Sequence, residues 1–153
     1  MENIQKEILN VVTELANAEE KLIIVTGKPG SGKSKILREL ADEQKWHYVD
    51  CKDLVTLADV QSVADKNAAA VEIMKNIFDN YKTPVLLLDK MQTFFNPALE
   101  LDVMDVVKKV SKDKVLIVAW PGYYEKGCLN FKNESTGLLT GYSVENIKMF
   151  VVE

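Results

Sequence analysis

A run of eight residues near the start of the chain has the composition of a phosphate-binding loop. It follows the apolar stretch 22–25 and consists of Gly27, Lys28, Pro29, Gly30, Ser31, Gly32, Lys33 and Ser34. Glycine lets the backbone curl around a phosphate chain because no Cβ stands in the way, and the N–H groups then point inward at the start of a helix. In this pattern, the P-loop, Lys33 contacts the β- and γ-phosphates and the Ser34 hydroxyl ligates Mg²⁺. We therefore predict that all eight residues bind ATP or ADP with Mg²⁺, although the sequence does not fix the base.

A second candidate site residue is Asp89, which ends the apolar run 85–88. A continuous apolar run is typical of a parallel strand that is covered on both faces. A carboxylate at the carboxyl end of such a strand faces the phosphates, where it holds Mg²⁺ directly or through water. We predict Lys33 and Asp89 as catalytic residues, and Ser34 and Asp89 as metal ligands.

The elements that must position these residues alternate along the chain. Helical spacing predicts an N-terminal helix within residues 1–18, a helix from the P-loop to about residue 45, a helical region at about 57–81, and a helix opened by Asn96 and Pro97. Strands are predicted at 21–26, 46–50, 85–89, 115–119 and 148–152, whereas the pattern from 123 to 146 is too weak to assign. Strands that alternate with helices indicate a three-layer α/β P-loop NTPase core with a five-stranded, mainly parallel sheet.

The residue after Asp89 is Lys90, where ATPases of the additional-strand division usually carry a glutamate that polarises the attacking water. A charged lysine cannot act as a base, and it lowers the pKa of a neighbouring carboxylate. Three hypotheses remain open. The water is positioned by Gln92, Asp50 or Glu100; a partner completes the site; or the nucleotide is a structural or switching ligand.

Arginine is scarce, since Arg38 is the only one in the chain and is expected to point away from the phosphates. Small-molecule kinases use several arginines because their planar fork suits phosphate, so a kinase is disfavoured. A GTPase is disfavoured because the Asn-Lys-x-Asp motif is missing. Between the last two predicted strands only Lys126 and Lys132 offer a positive charge in place of a trans arginine finger. The pattern indicates an ATPase core, without a helical lid domain, that does not turn over fast on its own.

The length and composition of the chain agree with a single domain, residues 1–153, in which residues 19–153 form the nucleotide-binding core. The chain is 47% apolar and 27% charged, with a net charge of −4, so a stand-alone nucleic-acid binder is disfavoured and DNA contact is expected only indirectly. Cys51 and Cys128 are isolated, which gives no metal or disulfide pattern. Neither a signal peptide nor an apolar run long enough for a membrane span is visible. We expect a cytoplasmic protein with no membrane contact.

The P-loop, Asp89, Asn96-Pro97 and the stretch 118–122, followed by Tyr124 and the segment 127–131, resemble one small family. The chain is similar to BrxF, the single-domain P-loop protein of BREX phage-exclusion systems. The resemblance implies a cytoplasmic component of an antiviral complex, whose partners would be a larger ATPase, a DNA methyltransferase and an alkaline-phosphatase-like protein. Because Lys90 departs from the general ATPase pattern, the resemblance does not imply that this chain hydrolyses ATP fast.

These observations lead to one expected function and two alternatives. The leading hypothesis is an ATP-binding protein with weak or partner-stimulated ATP hydrolysis in a BREX defence complex. The alternatives are a non-catalytic nucleotide-binding scaffold and an AAA-type loader ATPase that is associated with DNA. A site without a lid should need a second surface, from another copy or from a larger ATPase. We predict that surface near Phe94, Phe95, Tyr123 and Tyr124, since clustered aromatic residues on loops often mark interfaces.

Overall fold

The structure of the chain is a computed structural model. It describes residues 3–15, 18, 21–27, 32–50, 66–90, 103–112, 114–120, 123–125, 128–132, 139–143 and 147–152.

Eight strands and four helices are described. The strands are β1 (Leu22–Gly27), β2 (His47–Asp50), β3 (Val85–Asp89), β4 (Val115–Ala119), β5 (Tyr123–Glu125), β6 (Cys128–Lys132), β7 (Leu139–Ser143) and β8 (Lys148–Val152). The helices are α1 (Asn3–Glu14), α2 (Lys33–Gln44), α3 (Lys66–Tyr81) and α4 (Val103–Val110).

The main sheet has the strand order β2-β3-β4-β1-β8, and every neighbouring pair is parallel. The carboxyl ends of all five strands therefore meet at one edge, where ligands bind in open α/β sheets. β4 lies between β1 and β3, so one strand separates the strand before the P-loop from the strand that ends in Asp89. β5, β6 and β7 form a separate antiparallel sheet.

Two apolar clusters cover the two faces of the main sheet, because successive side chains of a strand point to opposite faces. On one face, Ile23 and Val25 of β1 pack with α1 and α2 through residues such as Ile8 and Leu37. On the other face, Leu22, Ile24, Leu86, Leu88 and their neighbours pack with α3 and α4. The middle strands β3 and β4 are buried at every position. The predicted three-layer core is confirmed.

The predicted elements match the described ones closely. All five predicted strands of the main sheet are present, and their limits agree within one residue. The helix predicted at 57–81 is described from Lys66, and residues 57–65 lie outside the described part. Asn96 and Pro97, where the next helix was predicted to start, also lie outside the described residues. Helix α4 is described from Val103 to Val110. Trp120, which directly follows β4, is fully buried in the core.

The antiparallel sheet was not predicted. Its strands are only three to five residues long, and they contain no continuous apolar run of the kind that marks β3 and β4. Leu129 of β6 is fully buried, while its neighbour Cys128 is exposed. A short strand with one buried face carries too few apolar residues for a clear period. No helix in the described ranges is both long enough and apolar enough for a membrane span.

Candidate nucleotide-binding site

The P-loop begins where β1 ends and finishes where α2 begins. Gly27 is the last residue of β1, and Gly32 precedes the first helical residue, Lys33. Gly32 has φ 102°, in the left-handed region that only glycine adopts freely. Its carbonyl accepts the backbone N–H of Ile36 at 3.1 Å, which closes the first turn of α2. Residues 28–31 lie outside the described part, so the predicted roles of Lys28, Pro29, Gly30 and Ser31 stay predictions.

The Lys33 ammonium group bridges the two ends of this loop. Its Nζ donates a hydrogen bond to the carbonyl oxygen of Gly27 at 2.7 Å. Burial lowers the pKa of Lys33 below its ordinary value; the carboxylate of Asp89 opposes that shift, and the charge of Lys90 adds to it. The folded chain thus partly buries the Lys33 ammonium in surroundings that disfavour its positive charge. An anion that binds beside the ammonium would compensate for that cost.

Asp89 lies at the carboxyl end of β3 and is almost fully buried, with 3% of its surface exposed. Its carboxylate accepts one hydrogen bond from a side chain and one from the backbone. Oδ2 accepts a hydrogen bond from the Tyr48 hydroxyl, and Oδ1 accepts one from the backbone N–H of Lys90 at 2.9 Å. The Ser34 hydroxyl is also close enough to lower the pKa of this carboxyl group. Buried carboxylates need such partners, because an unpaired buried charge is very costly.

These contacts keep Asp89 ionised. Burial by itself raises the pKa of the carboxyl group, but the Ser34 and Tyr48 hydroxyls, the Lys90 N–H and the Lys90 charge outweigh it and leave the pKa of Asp89 below its ordinary value. Burial also raises the pKa of Tyr48 to about 12, and the hydrogen bond to Asp89 adds to the shift. Tyr48 is therefore a protonated donor and Asp89 a charged acceptor at neutral pH.

Lys90 follows Asp89 in an unusual backbone conformation. Its φ is 59°, in the left-handed region that residues with a side chain seldom occupy. Residues held in such conformations cluster at functional sites. In this conformation the Lys90 N–H returns to the carboxylate of Asp89. The charge of Lys90 also acts on both Lys33 and Asp89, so it is close to the phosphate-binding end of the sheet.

The structure thus brings together three of the predicted site residues, Lys33, Ser34 and Asp89. A serine hydroxyl beside an ionised carboxylate is a donor set of hard oxygen atoms, which is what Mg²⁺ prefers. These residues fit the metal that the P-loop pattern implies. Asp50 pairs with Asp89 in the strand register, while Gln92 and Glu100 lie outside the described residues.

Sequence reasoning missed Tyr48. In the folded sheet Tyr48 lies opposite Leu87, and Leu87 and Asp89 share a face by the two-residue period, so Tyr48 lies on the same face as Asp89. The sequence carried no signal for this contact, because the pairing register of β2 and β3 cannot be obtained from it. The guanidinium carbon of Arg38 lies 5.7 Å from the centroid of the Tyr48 ring, and the expectation that Arg38 points away from the phosphates stays a prediction.

No protein-family model matches the sequence, and no curated protein matches it. Among the 174 matching chains of solved structures is C. elegans PCH-2, with a TM-score of 0.55 and 15% sequence identity. The match covers 98% of this chain and 42% of the PCH-2 chain, so this chain spans less than half of the protein that it resembles. PCH-2 has the AAA+ P-loop ATPase fold. At this identity the likeness shows the fold alone, and the resemblance to BrxF stays a prediction.

Proposed function

We propose that this chain binds ATP or ADP with Mg²⁺ at residues 27–34 and hydrolyses ATP slowly or only with a partner. One observation carries the proposal: α2 places Lys33 and Ser34 close enough to Asp89, at the end of β3, for the charge of Asp89 to act on Lys33 and for the Ser34 hydroxyl to act on the carboxylate. In a P-loop fold, Lys33 would contact the phosphates, and Ser34 and Asp89 would hold the metal. Mg²⁺ would neutralise phosphate charge, while the chain itself binds and orients the nucleotide.

Slow hydrolysis is supported by the chemistry around Asp89. The neighbouring Lys90 is a cation and accepts no proton from water, and its backbone N–H is directed to the carboxylate of Asp89. The only arginine, Arg38, lies against Tyr48. These features also favour the second candidate function, a non-catalytic protein whose bound nucleotide is a structural or switching ligand.

Two measurements on the purified chain separate these functions. Fluorescent ADP tests binding, and release of phosphate from ATP tests turnover, each for the wild type and for Lys33→Met. Binding with turnover well below the ~1–10³ s⁻¹ typical of enzymes supports the proposal. Binding without any turnover, even with candidate partners added, supports the non-catalytic function. Absence of binding in the wild type refutes both.

The biological role proposed here rests on the resemblance to BrxF. We infer a component of a bacterial antiviral complex that assembles with a larger ATPase or with a second copy of itself and contacts DNA only through partners. Tyr124 supports the assembly part, since 41% of this large aromatic residue is exposed. Phe94 and Phe95, and the side chain of Tyr123, lie outside what the structure describes. Sequencing the neighbouring genes tests the role directly, because a BREX gene cluster is the expected result.

A further inference from the structure

The hydroxyl of Tyr48 connects the P-loop helix to the strand that ends in Asp89. Tyr48 lies on β2, is half-buried, and points to the face of the sheet that α1 and α2 cover. Its hydroxyl donates to Oδ2 of Asp89. The interaction joins residues 41 positions apart in the sequence, so it exists only when β2 and β3 are paired in the observed register.

The direction of the Tyr48 proton follows from the charge on Asp89. An ionised carboxylate has acceptors only, so the tyrosine hydroxyl must be the donor. The Arg38 guanidinium carbon lies over the Tyr48 ring, 5.7 Å from its centroid. Side chains of three elements therefore lie next to one another, Arg38 on α2, Tyr48 on β2 and Asp89 on β3.

Tyr48 differs from the other partners of Asp89. Ser34 is itself a proposed metal ligand, and the Lys90 N–H belongs to the same short segment as the carboxylate. In the part of the chain that the structure describes, the side chain that donates a hydrogen bond to Asp89 is that of Tyr48. It comes from a separate strand, and no metal or phosphate contact is proposed for it. Its oxygen contact restricts rotation of the carboxylate, which leaves the remaining lone pairs of Asp89 in a defined direction.

We propose that Tyr48 is a positioning residue that orients the carboxylate of Asp89 for Mg²⁺, so that nucleotide affinity depends on Mg²⁺ through the Tyr48 hydroxyl. The inference rests on the proposed nucleotide site. It goes beyond that function because neither the P-loop nor Asp89 requires a tyrosine on the neighbouring strand. In this proposal Tyr48 acts through its hydrogen bond to Asp89 and is not itself a ligand of the metal or the phosphates.

The test compares ADP binding with Mg²⁺ and with EDTA in the wild type and in Tyr48→Phe. The phenylalanine keeps the ring against Arg38 and removes one oxygen. The quantity measured is the ratio of the Kd in EDTA to the Kd in Mg²⁺. We expect Tyr48→Phe to lower this ratio by up to about tenfold, while the Kd in EDTA stays within about twofold. This is no more than the lower end of what a hydrogen bond to a charged group is worth, because the bond from Tyr48 to Asp89 exists without the metal as well and only its effect on the orientation of the carboxylate enters the ratio. Tyr81→Phe is the matched control, because Tyr81 is 61% exposed and lies on α3.

Each result decides the inference. An unchanged ratio in Tyr48→Phe, or an equal fall in Tyr81→Phe, overturns it. If the wild type binds ADP but shows no dependence on Mg²⁺, the inference is wrong while nucleotide binding stands. If the wild type binds no nucleotide, the proposed function itself fails. A double-mutant cycle with Asp89→Asn adds a second criterion: Tyr48→Phe should change the ratio no further when Asp89 is already replaced, and an additive effect contradicts the inference.

Discussion

Replacing Lys33 with methionine separates the stability of the ligand-free fold from its response to nucleotide. Methionine keeps an unbranched stem of similar length and removes the charge. The change deletes the hydrogen bond from Nζ to the Gly27 carbonyl, but it also relieves a cation whose pKa is lowered by burial. A lowered pKa means that the folded environment as a whole disfavours the charged form. We therefore expect the ligand-free melting temperature to change little, within about 2–4 °C, which corresponds to about 1 kcal/mol for a chain of this size.

The response to nucleotide should fall much more. Wild-type protein at a nucleotide concentration of about 100 Kd gains about 2.7 kcal/mol, or roughly 5–11 °C for a chain of 153 residues. Losing a hydrogen bond to a charged phosphate, worth about 1.5–3 kcal/mol, raises the Kd roughly 10- to 150-fold. At the upper end of that range the same nucleotide concentration is only about two thirds of the new Kd. The gain then shrinks to about 0.3 kcal/mol, or about 1 °C.

Differential scanning fluorimetry with and without Mg·ADP measures both effects. Lys35→Met is the matched control, because Lys35 lies on the same helix and its side chain is 73% exposed; it should keep the full wild-type shift. A full nucleotide shift in Lys33→Met would refute the assigned role of Lys33. A ligand-free Lys33→Met protein that melts much lower than the wild type would show instead that the contact with Gly27 holds the fold together.

Four further predictions concern other parts of the chain. Lys90→Glu should raise ATP turnover, and Lys90→Ala should not, if the missing base limits hydrolysis; phosphate release measures this. Leu37→Ala, at a fully buried site, should cost about 2–5 kcal/mol in urea unfolding. Burial lowers the pKa of His47 below 6.5, so stability is complete above about pH 6.5 and falls as the pH drops through the folded value; His47→Phe, which keeps the ring stack on Tyr81, should lessen that fall. Tyr124→Ala should weaken any self-association seen by light scattering at several concentrations.

The central sheet could be predicted from the sequence because its strands carry strong signals. Residues 85–88 and 115–119 are uninterrupted apolar runs, and burial on both faces leaves such a strand no place for a polar residue. The P-loop was equally clear, since its glycines and lysine stand at fixed spacing between a strand and a helix. Lys33, Ser34 and Asp89 could therefore be named as site residues before their proximity was known.

The remaining parts of the site depend on information that a single sequence does not carry. The contact between Tyr48 and Asp89 depends on the pairing register of β2 and β3, and register follows from tertiary packing as well as from local pattern. The left-handed backbone of Lys90 is likewise not signalled, because lysine has no local preference for that conformation. The antiparallel sheet of β5, β6 and β7 was missed because short strands with few buried residues give no clear period.

A crystal structure of the chain grown with Mg²⁺ and ADP would show whether the P-loop and Asp89 form a nucleotide site. We expect phosphates enclosed by residues 27–34, with the Lys33 ammonium moved from the Gly27 carbonyl to a phosphate oxygen. We also expect a metal held by the Ser34 hydroxyl on the side that faces Asp89. A nucleotide bound elsewhere, or Lys33 still bonded to Gly27 with the phosphates in place, would contradict the proposed site.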